Sequence, residues 1–97
     1  MNNYKIKNIA FNDIRVIVDN INKYNKSASL SFIKEIKNTF ERLALFPNIG
    51  TIRKDFTYKN VRFFVFRKKF LIIYNIESNN INILRVLSTY QEICDLI

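Results

Sequence analysis

The sequence predicts an α+β fold of order β-α-α-β-β-β, with an N-terminal strand and a helix hairpin packed on one face of an antiparallel sheet. Three observations predict it. Two stretches with helical apolar spacing lie back to back in the first half of the chain, separated by only a few residues. Three β-prone runs follow, joined by connections short enough for hairpins. Between the halves stands Phe46-Pro47-Asn48-Ile49-Gly50, which contains the only proline and the only glycine of the 97 residues.

Taken in order, Tyr4 to Ile9 alternates weakly and is short, which suits an edge strand. From Ala10 the period changes: Ile14, Ile17, Val18 and Ile21 fall at i, i+3, i+4 and i+7 on one helical face. That helix is expected to stop near Tyr24-Asn25. Ser27, Ser29 or Ser31 can cap a second helix, whose apolar stripe reads Leu30, Ile33, Ile36, Phe40 and Leu43. The short gap makes the two helices antiparallel neighbours. Phe46-Pro47 ends the second, because a residue before proline is pushed out of helical conformation. Gly50 is expected to take a positive φ in the turn. Strands are predicted at Val61–Arg67, Phe70–Ile76 and Ile81–Leu87, joined through Arg67-Lys68-Lys69 and Glu77-Ser78-Asn79-Asn80. The tail from Tyr90 spaces Ile93 and Ile97 for a last helical turn or two.

Composition bounds the answer. The chain reads as a single domain over residues 1–97, expected to bury somewhat over ~60% of its extended surface. An apolar fraction of 48%, with nine Phe and five Tyr, is enough for an ordered core. The lone Cys94 has no internal disulfide partner and nothing nearby marks it as a nucleophile, so a reducing, cytoplasmic setting is expected. Histidine is absent, which removes the commonest general base and metal ligand, and no cofactor is predicted. No apolar run approaches the ~18 residues of a membrane span, and the N-terminus lacks a signal peptide's apolar core.

Charge is unevenly placed. The net charge of +8 divides into +3 over residues 1–41, +7 over 42–76 and −2 over 77–97. A sheet with a concentrated positive field suits an anionic partner. Arg53, Lys54, Arg62, Arg67, Lys68 and Lys69 are the candidates for it. The plain alternative is a solvated rim of hairpin ends that keeps a Phe-rich strand from aggregating. Arg62 sits inside the aromatic strand and can serve a partner or pair with Glu77 or Glu92. Arg53 can meet a partner or cap helix carbonyls. Arg85 alternates with Ile81, Ile83 and Leu87 on one strand face, where a charge is paired or reaches the surface. Phe63 points opposite to Phe64 and Phe66, so one aromatic set faces the core.

The helix pair, the turn L-x-x-F-P-x-x-G-x-x-R (Leu43, Phe46, Pro47, Gly50, Arg53), the meander, Tyr74 near a strand end and R-V-L-S-T-Y-Q-E-I from Arg85 to Ile93 together resemble the RelE/ParE toxin superfamily. The ParE-like branch, whose members tend to end in R-V-L-H-G-R-Q-D-I, is closest. The resemblance implies the toxin half of a bacterial type II toxin–antitoxin pair, neutralised by a cognate acidic antitoxin. It implies inhibition of DNA gyrase in the ParE-like case and ribosome-dependent mRNA cleavage in the RelE-like case. Partner contacts would then fall on Arg53, Lys54, Arg62, Arg67 and Arg85, and a nuclease would draw on Arg53, Arg62 and Tyr90. Homodimers or toxin–antitoxin hetero-oligomers are compatible with it.

The departures choose between these. The family's arginine two residues into the third strand is Leu71 here, the one after the strand tyrosine is Asn75, and the H-G-R triplet is Ser88-Thr89-Tyr90. By resemblance, the positions of Leu71 and Tyr90 supply cations that stabilise charge on the scissile phosphate. Losing one preorganised charge costs ~10²–10³-fold in rate, and a tyrosine of pKa ~10 is a poor base at neutral pH. The reading is therefore a gyrase inhibitor rather than an enzyme. The alternatives are a ribosome-dependent endoribonuclease, or a drifted toxin that keeps only antitoxin binding.

Overall fold

In a computed structural model that describes residues 3–52, 60–78 and 80–88, the α+β order is as read. The elements are β1 (Tyr4–Ile6), α1 (Asn8–Asn22), α2 (Lys26–Leu45), a short 3-10 turn (Pro47–Ile49), β2 (Arg62–Phe66), β3 (Phe70–Glu77) and β4 (Asn80–Leu87). The sheet runs β1-β4-β3-β2. It is mixed rather than wholly antiparallel, because β1 lies parallel to β4 with Tyr4 opposite Ile81 and Ile6 opposite Ile83. β2–β3 and β3–β4 are antiparallel hairpins. The two helices are the intervening layer that lets β1 run the same way as the last strand.

α1 begins at Asn8, two residues before Ala10, because the Lys7 carbonyl already accepts from the Phe11 amide at 2.9 Å. Ile14, Ile17, Val18 and Ile21 pack on the core as their spacing predicts, with Ala10 fully buried beside them. The cap of α2 is Asn25, not a serine: its side chain accepts from the Ala28 amide at 3.0 Å. Ser29 instead lies buried in the first turn, donating to the Lys26 carbonyl at 2.7 Å and to Asn22 Oδ1 of α1 at 3.2 Å.

The buried stripe of α2 is Ser29, Phe32, Ile36, Thr39, Phe40, Leu43 and Ala44, while Leu30 and Ile33 face outward. Counting apolar residues misses Ser29 and Thr39, whose hydroxyls are satisfied by carbonyls one turn back and so are cheap to bury. Phe46 leaves the helix at φ −130° before Pro47, as the proline requires.

The core lies between the helices and one sheet face. Phe32, Ile36, Phe40 and Leu43 meet Phe66, Ile72, Tyr74, Ile81, Ile83 and Val86. Phe32 sits edge-on to Phe66 and Phe70, at centroid distances of 5.5 and 5.2 Å. On the opposite sheet face, Val61, Phe63, Leu71, Ile73 and Leu87 form a second buried apolar cluster. Phe63 thus points away from Phe64 and Phe66, as alternation predicts.

Strand bounds shift by a residue or so from the reading, with β2 shorter at both ends and β3 and β4 each one residue longer. The larger correction is a bulge in β4. Ile73 pairs with Arg85 but Tyr74 pairs with Ile83, which leaves Leu84 as an extra residue. The bulge breaks the alternation on which Arg85 was grouped with Ile81, Ile83 and Leu87: Ile81 and Ile83 join the helix-side core and Leu87 joins the other cluster. The predicted C-terminal helical turn lies outside the described residues.

Candidate functional site

Tyr74 organises the region where the turn meets the sheet. Its ring is fully buried. Its hydroxyl donates to the Pro47 carbonyl at 2.6 Å and accepts from the Gly50 amide at 2.9 Å. Gly50 has φ −73°, so it does not occupy the left-handed region expected of it. Its need for glycine is spatial: a Cβ there would stand 2.7 Å from Tyr74 Cε1, inside van der Waals contact, and closer still to the hydroxyl oxygen. Burial pushes the Tyr74 pKa up, more than the Gly50 amide and the Arg62 charge pull it down.

Of the predicted binding cations, the three described arginines are engaged by partners within the chain. Arg62 lies opposite Tyr74 in the ladder and donates to the Gly50 carbonyl at 2.9 Å and to the Asn48 carbonyl at 3.5 Å. It fastens β2 to the turn and forms no ion pair with Glu77, whose carboxylate accepts from Asn82. Arg67 pairs with Glu35 of α2 and stacks over the rings of Phe32 and Phe66, 5.3 and 5.7 Å from their centroids. Arg85 makes a two-pronged bond to Asp13 of α1, at 2.7 and 3.0 Å. The same carboxylate accepts from the Val86 amide at 3.1 Å, so Asp13 also caps β4 where β1 no longer covers it. Arg53, Lys54 and Tyr90 lie outside the described residues.

Lys68 and Lys69 remain exposed at the β2–β3 hairpin tip. Arg67 and Lys68 have φ of 55° and 62°, a left-handed pair that non-glycine residues adopt at a cost of about 1 kcal/mol or more each. The Glu35 bond and the ring stack on Arg67 help hold that turn.

The surface that stands open is elsewhere. A groove of about 360 Å³ runs between α1 and α2 beside the free edge of β1, lined by Tyr4, Ile6, Phe11, Ile14, Val18, Ile33 and Phe40. Tyr4 and Phe40 form its floor, their centroids 5.6 Å apart. The Tyr4 pKa is raised, first by burial and then by the Glu41 carboxylate. Phe11 is 61% exposed and Ile33 43%, and Arg15 and Lys37 stand on the rim. A row of apolar side chains between two cations can take an amphipathic segment carrying carboxylates. The sequence places Leu30 and Ile33 in the core-facing stripe of α2 and Ile9 in the first strand, yet these side chains, with Phe11 and Val16, stand exposed, in excess of what the core uses. Among the described residues no cluster of acidic or cysteine side chains could hold a metal ion, and no helix is long and apolar enough to cross a membrane.

Comparison with known proteins adds the following. The sequence model for the ParE toxin of the type II toxin–antitoxin system parDE matches residues 4–93. No curated protein sequence matches the chain. A structure of the chromosomal ParDE toxin–antitoxin system from P. aeruginosa superposes with a TM-score of 0.75 at 21% identity, over 92% of this chain and 97% of that one. At that identity the likeness shows a shared fold. A conserved hypothetical protein from Helicobacter pylori aligns at 15% identity over 91% of this chain and 94% of its own, with a TM-score of 0.48.

Proposed function

The chain belongs to the ParE toxin family of type II toxin–antitoxin systems, and from that premise we propose a non-enzymatic toxin that binds and inhibits DNA gyrase. In the silent state an acidic antitoxin covers it, with an amphipathic segment seated in the α1–α2 groove. The observation that carries this reading is the division of labour among side chains. Arg62, Arg67 and Arg85 are spent on the turn, on Glu35 and on Asp13, whereas Phe11 and Ile33 stand open to solvent beside Arg15 and Lys37. Such a surface favours a protein partner over a reacting phosphate.

The electrostatics support an acidic partner. A chain of net charge +8 attracts an anionic protein at long range, speeding encounter at low salt. Apolar side chains then seat in the groove and supply most of the residence time. Against cleavage stands Leu71, where the resemblance puts a nuclease's cation: it is packed into the second apolar cluster beside Phe63, Ile73 and Leu87.

Expression of the chain alone, and together with any short acidic reading frame found beside its gene, tests the toxin reading. Growth arrest that the neighbouring product relieves supports it. Phe11→Asp tests the groove, because Phe11 is mostly solvent-exposed and its replacement spares the core. We expect that variant to fold and to lose antitoxin affinity ~100-fold or more, as truncation of a central aromatic anchor does. Unchanged affinity would place the antitoxin elsewhere.

A further inference from the structure

The connection between α1 and α2 and the tip of the β2–β3 hairpin lie at one end of the molecule. Asn22, which closes α1, accepts from Ser29 in the first turn of α2 at 3.2 Å. Three residues further on, Phe32 packs edge-on against Phe66 and Phe70, the paired residues that flank the hairpin tip. Farther along β3, Tyr74 bonds to Pro47 and Gly50, beyond the other end of α2. The hairpin therefore runs alongside α2 and carries Arg67-Lys68-Lys69 to the end where the helix pair turns.

Four lysines stand exposed there: Lys23 and Lys26 on the helix connection, Lys68 and Lys69 on the tip. The ion pairs among the described residues are Arg67–Glu35 and Arg85–Asp13, so none of the four lysines is in one. One helix ends and the other begins here, so their opposed dipoles largely offset and the side chains set the field. The tip holds its lysines in a fixed turn, the Lys69 amide donating to the Phe66 carbonyl at 3.3 Å around the left-handed pair Arg67 and Lys68. Asn-Gly is the usual choice for such a turn. Charged residues that bear its strain point to a use for their side chains. Between Lys23 and Lys26, Tyr24 is 90% exposed, the highest of the large apolar side chains described.

We propose that this end of the molecule binds single-stranded nucleic acid, with phosphates on Lys23, Lys26, Lys68 and Lys69 and a base stacked on Tyr24. Unpaired cations supply the attraction to the backbone, and a bare aromatic ring accepts any base on its face. Anionic lipid fits less well, because a membrane-seated face sets a broad apolar surface beside its cations. From Lys23 to Ala28 the one large apolar side chain is Tyr24, and Arg67-Lys68-Lys69 has none. DNA and RNA offer the same phosphates and bases. Such binding needs neither gyrase nor an antitoxin, although a chain seated on gyrase would meet nucleic acid there.

The test is fluorescence anisotropy of labelled oligothymidylate and oligouridylate with the full chain, titrated with salt. Four phosphate contacts at about −0.7 each give an expected log–log salt slope near −3. Lys23→Gln with Lys26→Gln, and Lys68→Gln with Lys69→Gln, should each flatten that slope by about 1.4 and weaken binding ~10-fold at about 0.1 M salt. Tyr24→Ala should weaken it ~10-fold and leave the slope unchanged. The control for net charge is Lys5→Gln with Lys7→Gln, which removes two exposed charges at the other end of α1 and should change affinity less than ~2-fold. All these side chains are exposed, and circular dichroism checks that each variant folds. Binding of either strand with this pattern supports the site, and the tighter one names the source. No binding at low salt, an equal loss in the Lys5/Lys7 control, or capture by phosphatidylserine vesicles that neither oligonucleotide competes with overturns it. Growth arrest and gyrase inhibition are read separately, so failure here and failure of the toxin reading are told apart.

Discussion

Tyr74, Gly50 and Arg62 act as one unit at the scale of single residues. The tyrosine hydroxyl serves two backbone groups of the turn, the glycine leaves it room, and the arginine closes the far side through the Gly50 carbonyl. Tyr74→Phe leaves a buried amide and carbonyl short of a partner and should cost about 1–3 kcal/mol, lowering Tm by roughly 4–8 °C per kcal/mol in a domain of this size. Gly50→Ala should cost a similar amount through overpacking, about 1–3 kcal/mol. The two should be less than additive, because removing the hydroxyl removes the atom nearest the new methyl. Thermal melts of the two single variants and the double variant check this.

Tyr74 also sets an alkaline limit. Its folded pKa lies above the ordinary value because burial disfavours the phenolate. The unfolded chain ionises first, near pH ~10. The contribution of Tyr74 to stability is therefore complete below that pH and is lost as pH rises through the folded pKa. Denaturant unfolding between neutral and strongly alkaline pH should show a shallower loss in Tyr74→Phe than in the parent chain, with Tyr4 contributing to the slope that remains.

Among the elements, the helix pair is held at its corners by short polar side chains. Asn25 caps α2, and Ser29 ties the first turn of α2 to the last of α1. Asn25→Ala should cost about 1 kcal/mol, and Asn25→Ser much less, in a comparison of denaturation midpoints. Asp13 joins α1 to the bulged end of β4 through both Arg85 and the Val86 amide. Asp13→Ala takes the paired carboxylate from a partly buried guanidinium and from an edge amide, so we expect about 2–3 kcal/mol of destabilisation.

At this scale the fold was largely legible. Apolar spacing placed α1, the proline ended α2, and alternation assigned Phe63 and Phe64 to opposite faces. Three features were not legible, each for a physical reason. Ser29 and Thr39 are polar by type yet buried by local hydrogen bonding, which shifted the apparent stripe of α2. The bulge at Leu84 depends on pairing with β3, and no single strand's pattern encodes it. The parallel β1 depends on where the chain returns after five further elements.

For the molecule as a whole, the candidate site was less legible than the fold, because charge counting weighs every cation alike. Arg62, Arg67 and Arg85 looked like binding residues, but a guanidinium inside a small domain is drawn to whichever carbonyl or carboxylate lies within reach. Arg53, Lys54 and Tyr90 lie outside the described residues. The surfaces left for partners are defined instead by apolar side chains beyond the needs of the core, at Phe11 and Ile33. In the proposed complex the excess positive charge would draw an acidic antitoxin to the molecule and the apolar groove would hold it. Raising salt should slow association with an acidic antitoxin more than it speeds dissociation, a split that stopped-flow mixing would read.

On the proposed function the chain binds gyrase and does not cut RNA. Supercoiling of relaxed plasmid by purified gyrase, titrated with the purified chain, tests it most directly. Inhibition near stoichiometric amounts, with accumulation of cleaved DNA, is the expected result. Full supercoiling at a large molar excess of the chain would contradict it.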